Sequence, residues 1–300
     1  MVRRVTWPSE VVPNTSSVPS SRRAKASCTL GSQAWPAGVN DISFVLERGS
    51  FTVLAGRVGS GKTTILRALL GLVPAGGEVR WNDRLIEDRA SFLVPPRSAY
   101  TPQIPKLFSD TLAYNISLRE RMTEESVHAA AHLAVLDTDL DRLAGGLETV
   151  VGARGVKLSG GQVQRSAVAR MFATEADLLV FDDLSSALDL HTEAELWERL
   201  FEHRSATCLV VSHRPAALQR ADQILVVDDG EIVDRGRLDE LKVPERVQSR
   251  IDDELERMSP SDRRRQIKQI QGTGHKTQFN QDRRNIRGFQ HREPGMPQGP

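Results

Sequence analysis

Eight consecutive residues, Gly56-Arg57-Val58-Gly59-Ser60-Gly61-Lys62-Thr63, set three glycines, a lysine and a hydroxyl in the spacing G-x-x-x-x-G-K-[ST]. Glycines let a loop fold back so that its N–H groups converge on one point, and a following helix turns its positive dipole end toward the same point. Such a point suits phosphate oxygens. Lys62 would supply a compact charge for β- and γ-phosphates, the Thr63 hydroxyl is the expected Mg²⁺ ligand, and Thr64 belongs to the same phosphate-binding run. The alternative is a glycine-rich turn that binds nothing. Against it, a β-forming run at 51–55 precedes the motif and a helical pattern over 63–72 follows, which is the setting the chemistry needs.

Two further apolar runs end in polar groups. Residues 178–181 lead to Asp182 and Asp183, and residues 208–211 lead to Ser212 and His213. In open α/β sheets ligands bind beyond the carboxyl ends of the strands, so the glycine loop, Asp182 and His213 are expected to converge on one site. Asp182 is expected to hold Mg²⁺ through water, since Mg²⁺ keeps much of its hydration shell. Asp183 is expected to face an attacking water and His213 to sense the γ-phosphate. The plainer readings are a turn acid and a capping or surface histidine. Cys208, in mid-strand, reads as core packing.

The chain around these residues has 300 residues, 39% of them hydrophobic, which is enough for one large domain or two small ones with a real core. A net charge of +1 gives no reason to expect a nucleic acid partner. Two cysteines, Cys28 and Cys208, cannot build a disulfide framework, and no signal-peptide pattern opens the chain, so an intracellular setting is expected. No apolar run approaches the roughly 20 residues of a spanning helix. Strand patterns at 51–55, 178–182, 207–212 and 224–228 alternate with helical ones, which predicts a mostly parallel α/β sheet. Asp229-Gly230 followed by 231–234 predicts a two-residue hairpin. Residues 1–27, rich in Ser, Pro and Arg, are expected to be a disordered lead-in or linker, and 28–243 the folded domain. Residues 244–300 are expected to run from helical to disordered, as a solvated basic tail rather than an arm for RNA or lipid.

Leu158-Ser159-Gly160-Gly161-Gln162 is a second glycine-rich segment opening a helix, over 162–173, and hence a second anion-binding terminus. It resembles the signature sequence of ATP-binding cassette (ABC) proteins. One nucleotide does not need two such termini on one chain. The resemblance implies a head-to-tail dimer in which Ser159, Gly160, Gly161 and Gln162 cap the ATP held by the glycine loop of the other chain. Other segments follow the family order: Gln103 in Tyr100-Thr101-Pro102-Gln103 resembles the Q-loop, with a catalytic and Mg²⁺-binding role. Asp189 in Ser186-Ala187-Leu188-Asp189 resembles the D-loop, and Trp35 stands where the family stacks a ring on adenine. The likeness covers about 29–241. It implies a P-loop NTPase core with a mostly parallel sheet, an antiparallel β portion and a helical signature subdomain at about 104–162, with ATP and Mg²⁺ bound and ATP hydrolysed.

Residues 107–116 and 151–155 are similar to segments of exporter-type cassettes that face transmembrane coupling helices. The resemblance therefore implies an ATPase coupled to membrane transport, peripheral on the cytoplasmic face of the cell membrane. Its implied partners are a second cassette, identical or different, and a transmembrane domain; no nucleic acid is expected. Exporter cassettes are usually fused to their spans, and the absence of any here means that these lie on another polypeptide or that the chain is a detached half. A second departure is Asp183, where most active cassettes carry Glu, so this chain's own site is expected to bind ATP and turn it over slowly. The alternatives are a soluble cassette ATPase without transport and a regulatory ATP-binding subunit.

Overall fold

The computed structural model describes residues 25–30, 39, 41–118, 122–152, 155–184, 187–203 and 206–241. The lead-in before residue 25, Trp35 and the basic tail lie outside the described residues. Two sheets carry the rest. The larger has six strands in the order β10-β9-β3-β8-β7-β6. These are β3 (Phe51–Ala55), β6 (Ser98–Thr101), β7 (Leu178–Asp182), β8 (Thr207–Val211), β9 (Gln223–Asp228) and β10 (Glu231–Gly236). All its pairings are parallel except β10 on β9. The smaller sheet is antiparallel, ordered β2-β1-β4-β5, from β1 (Lys25–Leu30), β2 (Ile42–Glu47), β4 (Glu78–Trp81) and β5 (Arg84–Ile86).

Burial explains the strand patterns. β3 and β7 are interior strands buried at every position, which is why they read as apolar runs interrupted only by Thr52 and by Asp182 at the strand end. β10, at the edge, alternates exposed and half-buried residues. The turn between β9 and β10 is Asp229-Gly230, both at positive φ, 48° and 80°, as a type I′ hairpin turn requires. Phe51 and Phe181 each meet Trp197 edge to face, with ring centroids 5.1 Å apart, in the core beside β3 and β7. Cys208 is fully buried in β8, as core packing predicts.

Several boundaries differ from expectation, among them that α6 starts at Gly160 rather than 162 and β10 runs on to Gly236. β1 starts at Lys25, so residues 25–27, assigned to a disordered lead-in, form sheet; ladders to β2 on one side and β4 on the other offset the ordering of this polar stretch. Helix α1 (Lys62–Leu69) stops before 72. Gly71 adopts φ 71°, the Gly71 and Leu72 amides bond back to Ala68 O and Arg67 O, and a Cβ on Gly71 would lie 2.5 Å from Ala90 N. β8 ends at Val211, one residue short.

Between β6 and β7 the chain is helical: α3 (Leu112–Ser117), α4 (Glu124–Leu133), α5 (Asp137–Arg142) and α6 (Gly160–Ala173), with the short α2 (Arg89–Phe92) earlier and α7 (Leu190–His203) and α8 (Pro215–Arg220) later. Thr111 caps α3 and Thr123 caps α4 with side-chain oxygens. Asp139 of α5 holds α6 in place. Its carboxylate accepts two hydrogen bonds from Arg165, at 2.8 and 2.6 Å, and one from Gln162 Nε2 at 3.1 Å. Both ends of that ion pair are nearly closed to solvent, at 9% and 13% exposure. Asp139→Ala leaves a buried guanidinium without its counter-charge and should cost about 3 kcal/mol in urea unfolding. Pairing it with Arg165→Met should recover most of the loss, and a double variant as weak as the single one would contradict this account.

Candidate nucleotide and metal site

The register of the large sheet brings four strand ends into line. Leu54 pairs with Val211, Val211 with Asp182, and Phe181 with Thr101. The glycine loop after β3, His213 after β8, Asp182 at the end of β7 and Gln103 after β6 therefore open on the same edge, as a ligand site in a parallel sheet demands.

The loop itself is a tight cradle. Gly56, Gly59 and Gly61 have φ of 145°, 85° and 101°, values that L side chains rarely adopt, and a Cβ on Gly56 would lie 2.1 Å from Val227 O. Lys62 Nζ donates to Gly56 O at 2.8 Å, to Arg57 O and to Ser60 Oγ at 3.2 Å, which holds the ammonium over the loop. Gly61 sits at the N-cap of α1 and gives no side-chain cap, whereas Ser159 closes α6 with a full capping box. The first amides of α1 are thus left for an incoming anion. Arg57 pairs with Asp228 at 2.7 Å, and Val58 stands out at 83% exposure.

Asp182 is fully buried, and both of its oxygens are engaged: Oδ1 accepts from Thr63 Oγ1 at 2.8 Å and Oδ2 from Tyr100 OH at 2.9 Å. Burial pushes the Tyr100 phenol up to about 12, so it stands as a donor at neutral pH. Asp183, at φ 56°, accepts from Gln103 Nε2 at 3.0 Å. Thr63, Asp182, Asp183 and Gln103 put hard oxygen donors beside a glycine cradle, a set that suits Mg²⁺ on a polyphosphate. His213 is half-buried. Its neighbour Arg214 is buried, pairs with Glu193 of α7 at 2.9 Å and donates to Leu188 O at 2.7 Å, tying the segment after β8 to the one before α7.

At α6, Ser159 Oγ accepts from Gln162 N while Gln162 Oε1 accepts from Ser159 N at 2.8 Å, so these two residues brace the helix start and leave the amides of Gly160 and Gly161 outside the box. Asp189 has a local task as N-cap of α7, accepting from His191 N, Thr192 N and Thr192 Oγ1. Burial opposes its charge, but the Thr192 bonds outweigh that and hold its carboxyl below the usual range. The exporter-like segments 107–116 and 151–155 meet where Val151 N donates to Asp110 O; beside them Thr111 bridges Val150, and Asn115 binds the backbone of Phe108 and the side chain of Arg170. Around them Ile104, Phe108, Tyr114, Val150 and Val156 are exposed. The sequence carries no signal for the polar partners Tyr100, Asp139 and Arg214, although Tyr100 stands in the Q-loop segment itself.

A glycine cradle between a central parallel strand and a helix, faced by a buried strand-end carboxylate, defines a P-loop nucleotide-binding fold. Residues 39–186 match the ABC transporter family, and the chain belongs to that family as an ATP-binding domain of exporter type. It is 39% identical over 206 residues to a Bacillus subtilis protein described as "Probable multidrug resistance ABC transporter ATP-binding/permease protein", covering 68% of this chain and 35% of the relative. An ATP-dependent lipid A-core flippase of Vibrio vulnificus is 37% identical over 207 residues, covering 68% of this chain and 36% of the flippase. Among solved structures, a bacterial Atm1-family ABC exporter with ATP bound matches with a TM-score of 0.69 and 29% identity, over 76% of this chain and 42% of that one. The chain spans about a third of the length of the curated relatives it matches. Among the described residues no helix is long and apolar enough to cross a membrane.

Proposed function

We propose that this domain binds and hydrolyses ATP to power an exporter-type transporter, by closing on a second nucleotide-binding domain when ATP is bound and parting from it after hydrolysis. The observation that carries the reading is the 2.8 Å contact between Thr63 Oγ1 and Asp182 Oδ1, which joins the glycine loop to the strand-end acid as metal-nucleotide chemistry needs. The loop amides of residues 56–64 and the ammonium of Lys62 receive the phosphates; Thr63, Asp182 and Gln103 would hold Mg²⁺. When bound, Mg²⁺ neutralises charge on the β- and γ-phosphates. Asp183 orients water, His213 donates to the γ-phosphate, and Lys62 stabilises the charge that builds up. Ser159, Gly160, Gly161 and Gln162 would cap the partner's nucleotide, and Asp189 would line the joint. Adenine stacking by Trp35 belongs to the same reading.

Asp183 supports a further element: slow turnover at the site built on this chain's own loop, with the partner's site carrying most of the hydrolysis. A regulatory ATP-binding subunit is the second reading that the same residue favours. The exposed apolar side chains at 104–114 and 150–156 fit contact with transmembrane segments, carried on this or another polypeptide, which would hold the domain at the cytoplasmic membrane face. Affinity purification from detergent-solubilised membranes of the native cell should recover an integral membrane protein together with a second cassette. Recovery without any membrane protein would sink the transport reading and leave the ATPase reading to calorimetry.

A further inference from the structure

We propose that Tyr100 is the positioning residue of the metal site: its phenol holds the Asp182 carboxylate in the orientation that Mg²⁺ requires. The inference rests on the Mg-ATP reading above and deepens it. Tyr100 pairs with Val180 across the β6–β7 ladder, and Asp182 lies two residues beyond Val180 on the same sheet face. That diagonal is within reach of an aromatic side chain. The ring packs against the main hydrophobic core, so its hydroxyl is presented at a set point and donates to Asp182 Oδ2 at 2.9 Å.

The other oxygen, Oδ1, is held by Thr63 Oγ1, itself an expected metal ligand. The Thr63 hydroxyl would offer a lone pair to the metal while its O–H still donates to Oδ1, so this side of the carboxylate is held from the phosphate loop. Among the described hydrogen bonds, Tyr100 is the one partner of Oδ2 on this fully buried carboxylate, and it holds that side from the sheet. Without it the carboxylate swings about its last side-chain torsion and an oxygen is left unsatisfied in the interior. Outer-shell partners of metal-site ligands typically contribute on the order of ten- to a hundredfold in metal affinity.

Tyr100→Phe keeps the packed ring and removes only the donor. In the full chain with saturating ATP, Mn²⁺ as the probe and electron paramagnetic resonance as the readout, the half-saturating Mn²⁺ concentration should rise at least about tenfold. ATP affinity in EDTA should stay within about twofold, because the described partners of the Tyr100 hydroxyl are Asp182 and Arg67 and not residues 56–64. Equal shifts in both would mean a structural role only and overturn the proposal, as would unchanged Mn²⁺ affinity. If the wild type takes up no Mn²⁺ beyond that held by free ATP, the Mg-ATP reading itself fails. A second measurement leaves the phenol in place. The chain has two tyrosines, Tyr100 and Tyr114, so Tyr114→Phe grown with 3-fluorotyrosine carries a single fluorine reporter. Its resonance should move with Mg·ATP and not with ATP in EDTA; a signal indifferent to both contradicts the assignment.

Discussion

Asp183→Glu should raise steady-state ATP hydrolysis on the order of a hundredfold, provided both forms dimerise. The carboxylate of Asp183 falls short of the longer side chain by one methylene, about 1.5 Å, and a misplacement near 1 Å can cost on the order of a hundredfold in rate. In the fold Asp183 Oδ2 is engaged by Gln103 Nε2 at 3.0 Å, so the shorter side chain is drawn to the Q-loop amide. The backbone there is left-handed, at φ 56°, a conformation that Asp tolerates better than Glu. The faster variant is therefore expected to be less stable, by up to about 1 kcal/mol. Hydrolysis measured beside chemical denaturation tests both halves: no gain in rate removes the slow-site reading.

Lys62→Ala should abolish measurable ATP binding. Two charge-assisted hydrogen bonds to phosphate oxygens, at about 1.5–3 kcal/mol each, correspond to a loss of affinity on the order of 10² to 10⁴. The same ammonium also ties Gly56 O, Arg57 O and Ser60 Oγ together, so the loop loses an internal brace. Lys62→Met, which keeps the stem, should lose affinity to the same degree with a smaller change in melting temperature. Calorimetry in magnesium buffer decides: affinity unchanged in either variant would contradict the role given to Lys62.

How much of the fold and site is legible in the sequence depends on range along the chain. β3 and β7 were readable to the residue because interior strands of a parallel sheet are mostly apolar and end where the polar site begins. The phosphate loop was readable because a tight anion cradle needs its glycines and lysine to be contiguous. The end of α1 was not, since Leu72 and Val73 continue the apolar pattern and only the approach of Ala90 to Gly71 reveals why the chain must turn. Nor was the start of β1, whose polar residues are ordered by β2 and β4. The Tyr100 to Asp182 bond spans 82 residues, and no local pattern encodes which hydroxyl will meet a buried acid after the sheet has closed. Arg165 on Asp139, 26 residues apart, escaped for the same reason.

The hairpin turn that follows β9 also bears on kinetics. Gly230 N donates to Ser60 O at 3.0 Å, Arg57 grips Asp228, and Gly61 lies against the Gly230 backbone. The anion cradle is thus splinted from outside before any ligand arrives, so most of the ordering entropy of those residues is already spent in folding. Nucleotide association should proceed in one fast phase with a shallow temperature dependence, as a ligand dropping into a ready socket does, and cutting the splint at Arg57 or Asp228 should add a slower, concentration-independent step.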